Sequence, residues 1–172
     1  MPALGSPQHF AQRFHSVPLT AKSEDLLAVC LQDLADGYRQ ISDRIGALVE
    51  ASQSLQLRTA LSAVESGAAV RLRRLKALDY SLHGAENLWM AGIVADACRD
   101  TRTIATGHLL DIALIGAVRK ALAAEEVSTE TALVVADRLS KRDVVDALRR
   151  NAEQLSSEDS RLQRLLVERT AV

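Results

Sequence analysis

The stretch that decides the fold is Leu27-Ala28-Val29-Cys30-Leu31-Gln32-Asp33-Leu34-Ala35-Asp36-Gly37-Tyr38-Arg39-Gln40-Ile41-Ser42-Asp43-Arg44-Ile45-Gly46-Ala47-Leu48. Its apolar residues Leu27, Leu31, Leu34, Tyr38, Ile41, Ile45 and Leu48 recur at steps of three and four. That spacing writes one stripe along a helix of about eight turns. Ser23 precedes it, and Glu24 and Asp25 place negative charge at the positive end of the helix dipole.

The pattern repeats along the chain. After the break Ser52-Gln53-Ser54, a second stripe runs through Leu57, Leu61, Val64, Ala68, Leu72, Leu75 and Leu78. A shorter helix is predicted over 85–99, with Leu88, Trp89, Ile93 and Val94 apolar, followed by a connection over 99–107. A long pattern covers 108–139, and Ser140 is read as the cap of a last helix carrying Val144, Val145, Leu148, Leu155, Leu162, Leu165 and Leu166. Two tightly joined pairs of long helices, with a short helix in the connection between them, predict an all-α, ferritin-like four-helix bundle of two antiparallel hairpins. Gly37, Gly46, Gly67, Gly92 and Gly116 fall inside helices, at a cost of about 1 kcal/mol each against alanine, so close helix contacts are expected there.

Composition narrows the class. The 172 residues suffice for one domain with a real core, and 48% hydrophobic with 25% charged content excludes wholesale disorder. The net charge of -1 argues against a duplex nucleic-acid binder, and 3% aromatics argue against base-stacking platforms. All three prolines, Pro2, Pro7 and Pro18, lie in residues 1–20, which read as an N-terminal tail whose Phe10 and Phe14 dock on the body; residues 21–172 form the bundle. No run of apolar residues or glycine, Ile112 to Val118 included, is long enough to span a bilayer, and the first residues lack the pattern of a secretory signal. With Cys30 and Cys98 far apart and read as buried thiols, a reducing, cytoplasmic setting is expected.

Bundles of this topology often hold two metal ions, using carboxylates from each long helix and Glu-x-x-His pairs. The chain contains no Glu-x-x-His. His9 and His15 sit in the tail without acidic neighbours, and His83 and His108 fall at helix ends; His108 with Asp111 reads as a local surface pair. Arg71, Arg73, Arg74 and Lys76 read as a solvated helix face, Glu125, Glu126 and Glu130 as a surface acidic patch, and Trp89 as core or a dimer contact. No Gly-x-Ser-x-Gly elbow or phosphate loop is present.

Four segments carry a resemblance to the YciE/YciF-type ferritin-like stress-protein family: Leu31 to Tyr38, Leu57 to Leu75, Trp89 to Val94, and Asp111 to Ile115. The resemblance as a whole covers about residues 24–166. The resemblance implies a stress-associated bundle. It also shows where this chain departs from the family's ligand pattern. The ligand positions fall on Tyr38, on Gly67 with Val70 or Arg71, on Leu122-Ala123-Ala124-Glu125, and near Glu153-Gln154-Leu155. Glu125 and Glu153 are the residual carboxylates, and a shift of one turn would bring in Glu65 without supplying a histidine. Tyr38 is expected to hydrogen-bond a surviving acid such as Glu125, and Arg71 to pair with one.

The expectation is a non-enzymatic protein with a lost di-metal site and no catalytic, cofactor-binding or metal-binding residue. It would work by protein contacts as a homodimer, without cofactor, nucleic acid or membrane. Two alternatives stand beside it. One is a di-iron or di-manganese protein for oxidation or iron handling. The other is a binder of a small apolar ligand in a bundle centre left roomy by Gly67, Ala68, Ala123 and Ala124.

Overall fold

The computed structural model describes residues 20–170. Within them are five helices: α1 (Ser23–Ala51), α2 (Leu55–Lys76), α3 (Leu88–Thr103), α4 (His108–Arg138) and α5 (Arg142–Thr170). Among the described residues there is no strand. The tail reading of residues 1–19, with His9, His15, Phe10 and Phe14, lies outside the described residues.

Each long helix buries the stripe its sequence spells out. Leu27, Leu31, Leu34, Tyr38, Ile41, Ile45 and Leu48 of α1 are all buried. The helix α1 packs on α2 and on α4, α5 packs on α4 and on α2, and α3 lies across α1 and α4. The α1/α4 pair is antiparallel, because Tyr38 meets Thr129 while Ser52 meets Asp111. The α2/α5 pair is antiparallel too, since Arg71 reaches Glu158 and Arg74 reaches Asn151. No described helix is long and apolar enough to cross a membrane.

Three local readings change. The short helix starts at Leu88 rather than 85, because the Asn87 side chain accepts from the Met90 N–H and caps it there. It then runs on to Thr103, absorbing most of the expected connection. Ser140 does not cap α5. Its φ of 56° is left-handed, and Lys141 N–H reaches back to Ala136 C=O at 3.0 Å, so Ser140 ends α4 in a Schellman turn. Gly92 and Gly116 have open space where a Cβ would stand, so close contact does not explain them.

The core divides into two apolar clusters. One holds Ile41, Leu61, Val64, Ala68, Leu122 and Leu155. The other holds Leu27, Leu31, Tyr38, Leu75, Ala132 and Leu148. Along α2, α4 and α5, the buried polar residues Arg71, Glu125, Thr129 and Asn151 fall between these two sets.

Candidate functional site

That polar layer is built around Arg71, whose side chain has no solvent exposure. Its Nη1 donates to both oxygens of Glu158, at 2.9 and 2.8 Å. Its Nη2 approaches Glu125 Oε2 at 3.5 Å. The guanidinium also sits over the Tyr38 ring, 5.3 Å from its centroid, where the ring's negative face attracts it. A fully buried guanidinium without partners would forfeit its hydration, so the two carboxylates are what make this position tenable.

Gly67, one turn before Arg71, makes the room. A Cβ there would overlap Glu158 Oε1 and stand 2.6 Å from Gln154 Nε2 and 3.0 Å from Arg71 Nη1. The glycine therefore leaves no cavity in the bundle centre: the ion pair fills the space. Arg74 extends the network by donating to Asn151 and Gln154 at 3.0 and 2.9 Å.

One guanidinium faces two carboxylates, and the geometry divides them. Glu158 takes the close contacts. Its carboxyl is pushed up by burial, an effect that Arg71 opposes. Glu125 is buried more completely and held at the longer distance. Burial, resisted by Arg71 and reinforced by the charge of Glu158, pushes it up to about 8. Near neutral pH burial thus favours the protonated form of Glu125, and the two short contacts make Glu158 the counter-charge nearest Arg71. Glu125 Oε1 has no hydrogen-bond partner among the described residues. Burial likewise pushes the Tyr38 phenol up, and its hydroxyl lies 3.4 Å from Thr129 Oγ1.

The expected pairing of Arg71 with an acid is present, but Tyr38 meets Thr129 rather than Glu125. Glu153 points to solvent, and Glu65 is only partly buried. Sequence reasoning misses Glu158, which sits in the polar run Ser156-Ser157-Glu158-Asp159-Ser160 and reads as surface. Its one signal is its place between Leu155 and Leu162 on the buried stripe of α5. The basic cluster is not one solvated face, because Arg71 is buried and Arg74 half-buried, while Arg73 and Lys76 are exposed. Nor are Glu125, Glu126 and Glu130 one patch, since only Glu130 is exposed. Trp89 is 75% exposed and so is not core. Ala68 is buried, but Ala123 faces solvent and Ala124 is half-buried. Cys30 and Cys98 are free and half-buried rather than fully enclosed.

Two further polar clusters tie elements together, one at an end of the bundle and one at the start of α3. Asp111 is buried, accepts from Ser52 Oγ at 2.8 Å and from Gln53 N–H at 3.2 Å, and pairs with Arg169 at 3.0 Å. This ties the α1–α2 turn to the start of α4 and the end of α5; exposed His108 takes no part. Asp36 accepts from the Asn87 N–H at 2.8 Å and from Gln40, and pairs with Arg39. Burial would raise its carboxyl, but these donors outweigh it and hold Asp36 below the usual carboxylate range. Asp36 thereby anchors the start of α3. Among the described residues, no three His, Cys, Asp or Glu side chains gather where they would hold a metal ion.

Four long helices in two antiparallel hairpins, with a polar layer across the middle and a short fifth helix in the crossover, define a ferritin-like helical bundle. The chain belongs to the family described as a domain of unknown function, DUF892, whose model matches residues 22–171. Its fold is that of the E. coli stress protein YciF, with a TM-score of 0.84 at 20% identity over 88% of this chain and 98% of that one. YcfI from Rhodopseudomonas palustris, whose description proposes a structural role, matches with a TM-score of 0.80 at 22% identity, over 87% of this chain and 98% of that one. The resemblance to the YciF-type family is therefore shown. No curated protein sequence matches.

Proposed function

We propose that this protein is a non-catalytic, stress-associated bundle in which a resident guanidinium takes the place of a metal pair. The observation that carries the reading is Arg71, fully enclosed between Glu158 and Glu125, with Gly67 leaving the volume the ion pair fills. The donor set does not fit two hard cations. Such ions want several oxygen or imidazole ligands on open coordination positions. Here two carboxylates already face a fixed positive charge, and the ligand positions of the resemblance are held by Tyr38, Gly67, Leu122 and Leu155. The stress association is drawn from YciF.

With no reacting group at the centre, the protein acts through its surface, as a homodimer in the cytoplasm, without a cofactor, nucleic acid or membrane. Leu55, Leu109 and Val167 are exposed large apolar residues near one end of the bundle, each two positions from a member of the Gln53–Asp111–Arg169 cluster. They supply an apolar surface for self-association. Thermal unfolding with and without iron(II), manganese(II) or zinc(II) tests the first part, since any ion bound to the folded state raises the melting temperature. An unchanged melting temperature is expected; a rise that grows with metal concentration would refute it. Sedimentation equilibrium tests the second: a dimer is expected, and a monomer at all concentrations would refute it.

A further inference from the structure

Beside the ion-pair layer an open groove of about 660 Å³ runs between α1, α3 and α4. Its walls include Trp89, Met90, Ile93 and Val127, with Asp33 and Lys120 also lining it. Gly37 and Glu125 line it as well. The position where a Cβ on Gly37 would stand is bounded by Glu125 Oε1 at 3.7 Å, Asn87 Nδ2 at 3.6 Å and Met90 Cε at 3.8 Å. Glu125 Oε1 is the acceptor already found without a partner. An unused carboxylate oxygen therefore lies against the one place in the groove floor where α1 has no side chain to cover it.

The charges facing that oxygen set its preference. Arg71 from α2 is balanced by Glu158 from α5, so an ionised Glu125 is a surplus negative charge. From α1 come Tyr38 with its neutral phenol and Asp33, whose carboxyl burial and nearby Asp36 push up. The α3 cap Asn87 offers its amide, the α3 residues lining the groove carry no charge, and Lys120 on α4 lines it too. Anything neutralising Glu125 must donate hydrogen bonds and carry positive charge, and the walls favour a hydrocarbon body.

We infer that this groove is a binding site for a small amphipathic primary amine, with its ammonium on Glu125 Oε1 and its apolar body along Trp89, Met90, Ile93 and Val127. Ammonium binding displaces the proton that Glu125 otherwise holds, so one proton leaves for each ligand bound. The flexible Met90 thioether adjusts to admit the head group. The inference shares Glu125 with the ion-pair reading but needs neither the absence of metal nor self-association.

Trp89 is the only tryptophan in the chain, so its fluorescence reports this groove alone. The test titrates the full chain at mildly alkaline pH with n-hexylammonium, and in parallel with hexanol and hexanoate. A saturable blue shift is expected with hexylammonium. Hexanol should bind at least about tenfold more weakly, the scale of one charge-assisted hydrogen bond, and hexanoate should not bind. Glu125→Gln should weaken the amine by about the same factor. Gly37→Ala guards against a folding defect. Its methyl makes ordinary contacts and favours the helix, yet it covers Glu125 Oε1, so the variant should keep its melting temperature and lose amine affinity. Hexanol binding as tightly as the amine, no saturable response, or Gly37→Ala binding the amine undiminished would each overturn the inference. The absence of any saturable response would leave the groove to a second copy of the chain or to another segment.

Discussion

Replacing Arg71 by methionine removes the guanidinium while keeping a flexible apolar side chain of similar reach. The cost follows from the geometry. Arg71 is wholly buried, and its Nη1 makes two short bonds to Glu158. Breaking a buried pair by deleting one partner costs about 3–5 kcal/mol. The lower end applies, because Glu125 already holds its proton up to about pH 8 and Glu158 keeps 10% of its side chain exposed. A loss of about 3 kcal/mol near pH 7.5, or roughly 10 °C in melting temperature, is therefore expected. The loss should depend on pH with a definite sign. Arg71 lowers the pKa of both carboxyls, so without it their folded values climb further above the unfolded range. A carboxyl raised on folding contributes stability that is fully present below its unfolded pKa and is lost as pH rises through its folded pKa. The variant should thus approach the parent near pH 5 and fall behind as pH rises, by about 1.4 kcal/mol for every tenfold by which losing Arg71 weakens a buried carboxyl as an acid. Urea denaturation followed by circular dichroism at several pH values measures this. A deficit below about 1 kcal/mol near pH 7.5, or one that does not change with pH, would refute the argument that Arg71 neutralises buried carboxylates.

Other outcomes follow from the same geometry. Gly67→Ala should lose stability by about 1–3 kcal/mol even though alanine favours the helix by about 1 kcal/mol, because its methyl displaces Glu158 from Arg71; a more stable variant in denaturant titration would contradict this. Asp111→Ala should cost about 2–3 kcal/mol and raise amide exchange around residues 50–56 and 108–112, since it leaves half-buried Arg169 without its partner and frees the α1–α2 turn; unchanged exchange there would show that Asp111 does not clasp that end. Ser140→Gly should gain about 1 kcal/mol by relieving a left-handed serine, and thermal melts showing a loss would deny the Schellman reading. In the parent, Glu125 makes stability decline as pH climbs from its ordinary range near 4.5 towards 8, and Glu125→Gln should flatten that slope in urea titrations.

The fold was legible because its long stripes are redundant: seven apolar positions on α1 agree, so no single residue decides the face. Short elements lack that redundancy. Whether α3 begins at 85 or 88 depends on the Asn87 side chain and on its anchor to Asp36 from a distant helix. Ser140 carries the residue type of a helix start, yet the tight α4–α5 turn demands a left-handed residue there. Of the central site, Arg71 and Glu125 were readable from the resemblance, because charged residues at ligand positions need partners. Glu158 was not, because a serine-flanked acid looks solvated until the space above Gly67 is known. The groove was out of reach for the same reason, since Trp89 and Ala123 belong to apolar patterns whose burial depends on how much of α1 and α4 the short α3 covers.

The central claim is that a guanidinium stands where related bundles would hold metal. Plasma mass spectrometry of the purified, untagged protein, after incubation with iron(II), manganese(II) and zinc(II) and removal of free ions, addresses it directly. A metal content far below one ion per chain for all three is the expected result. One or two ions per chain would contradict the account and make redox chemistry or iron handling the leading reading.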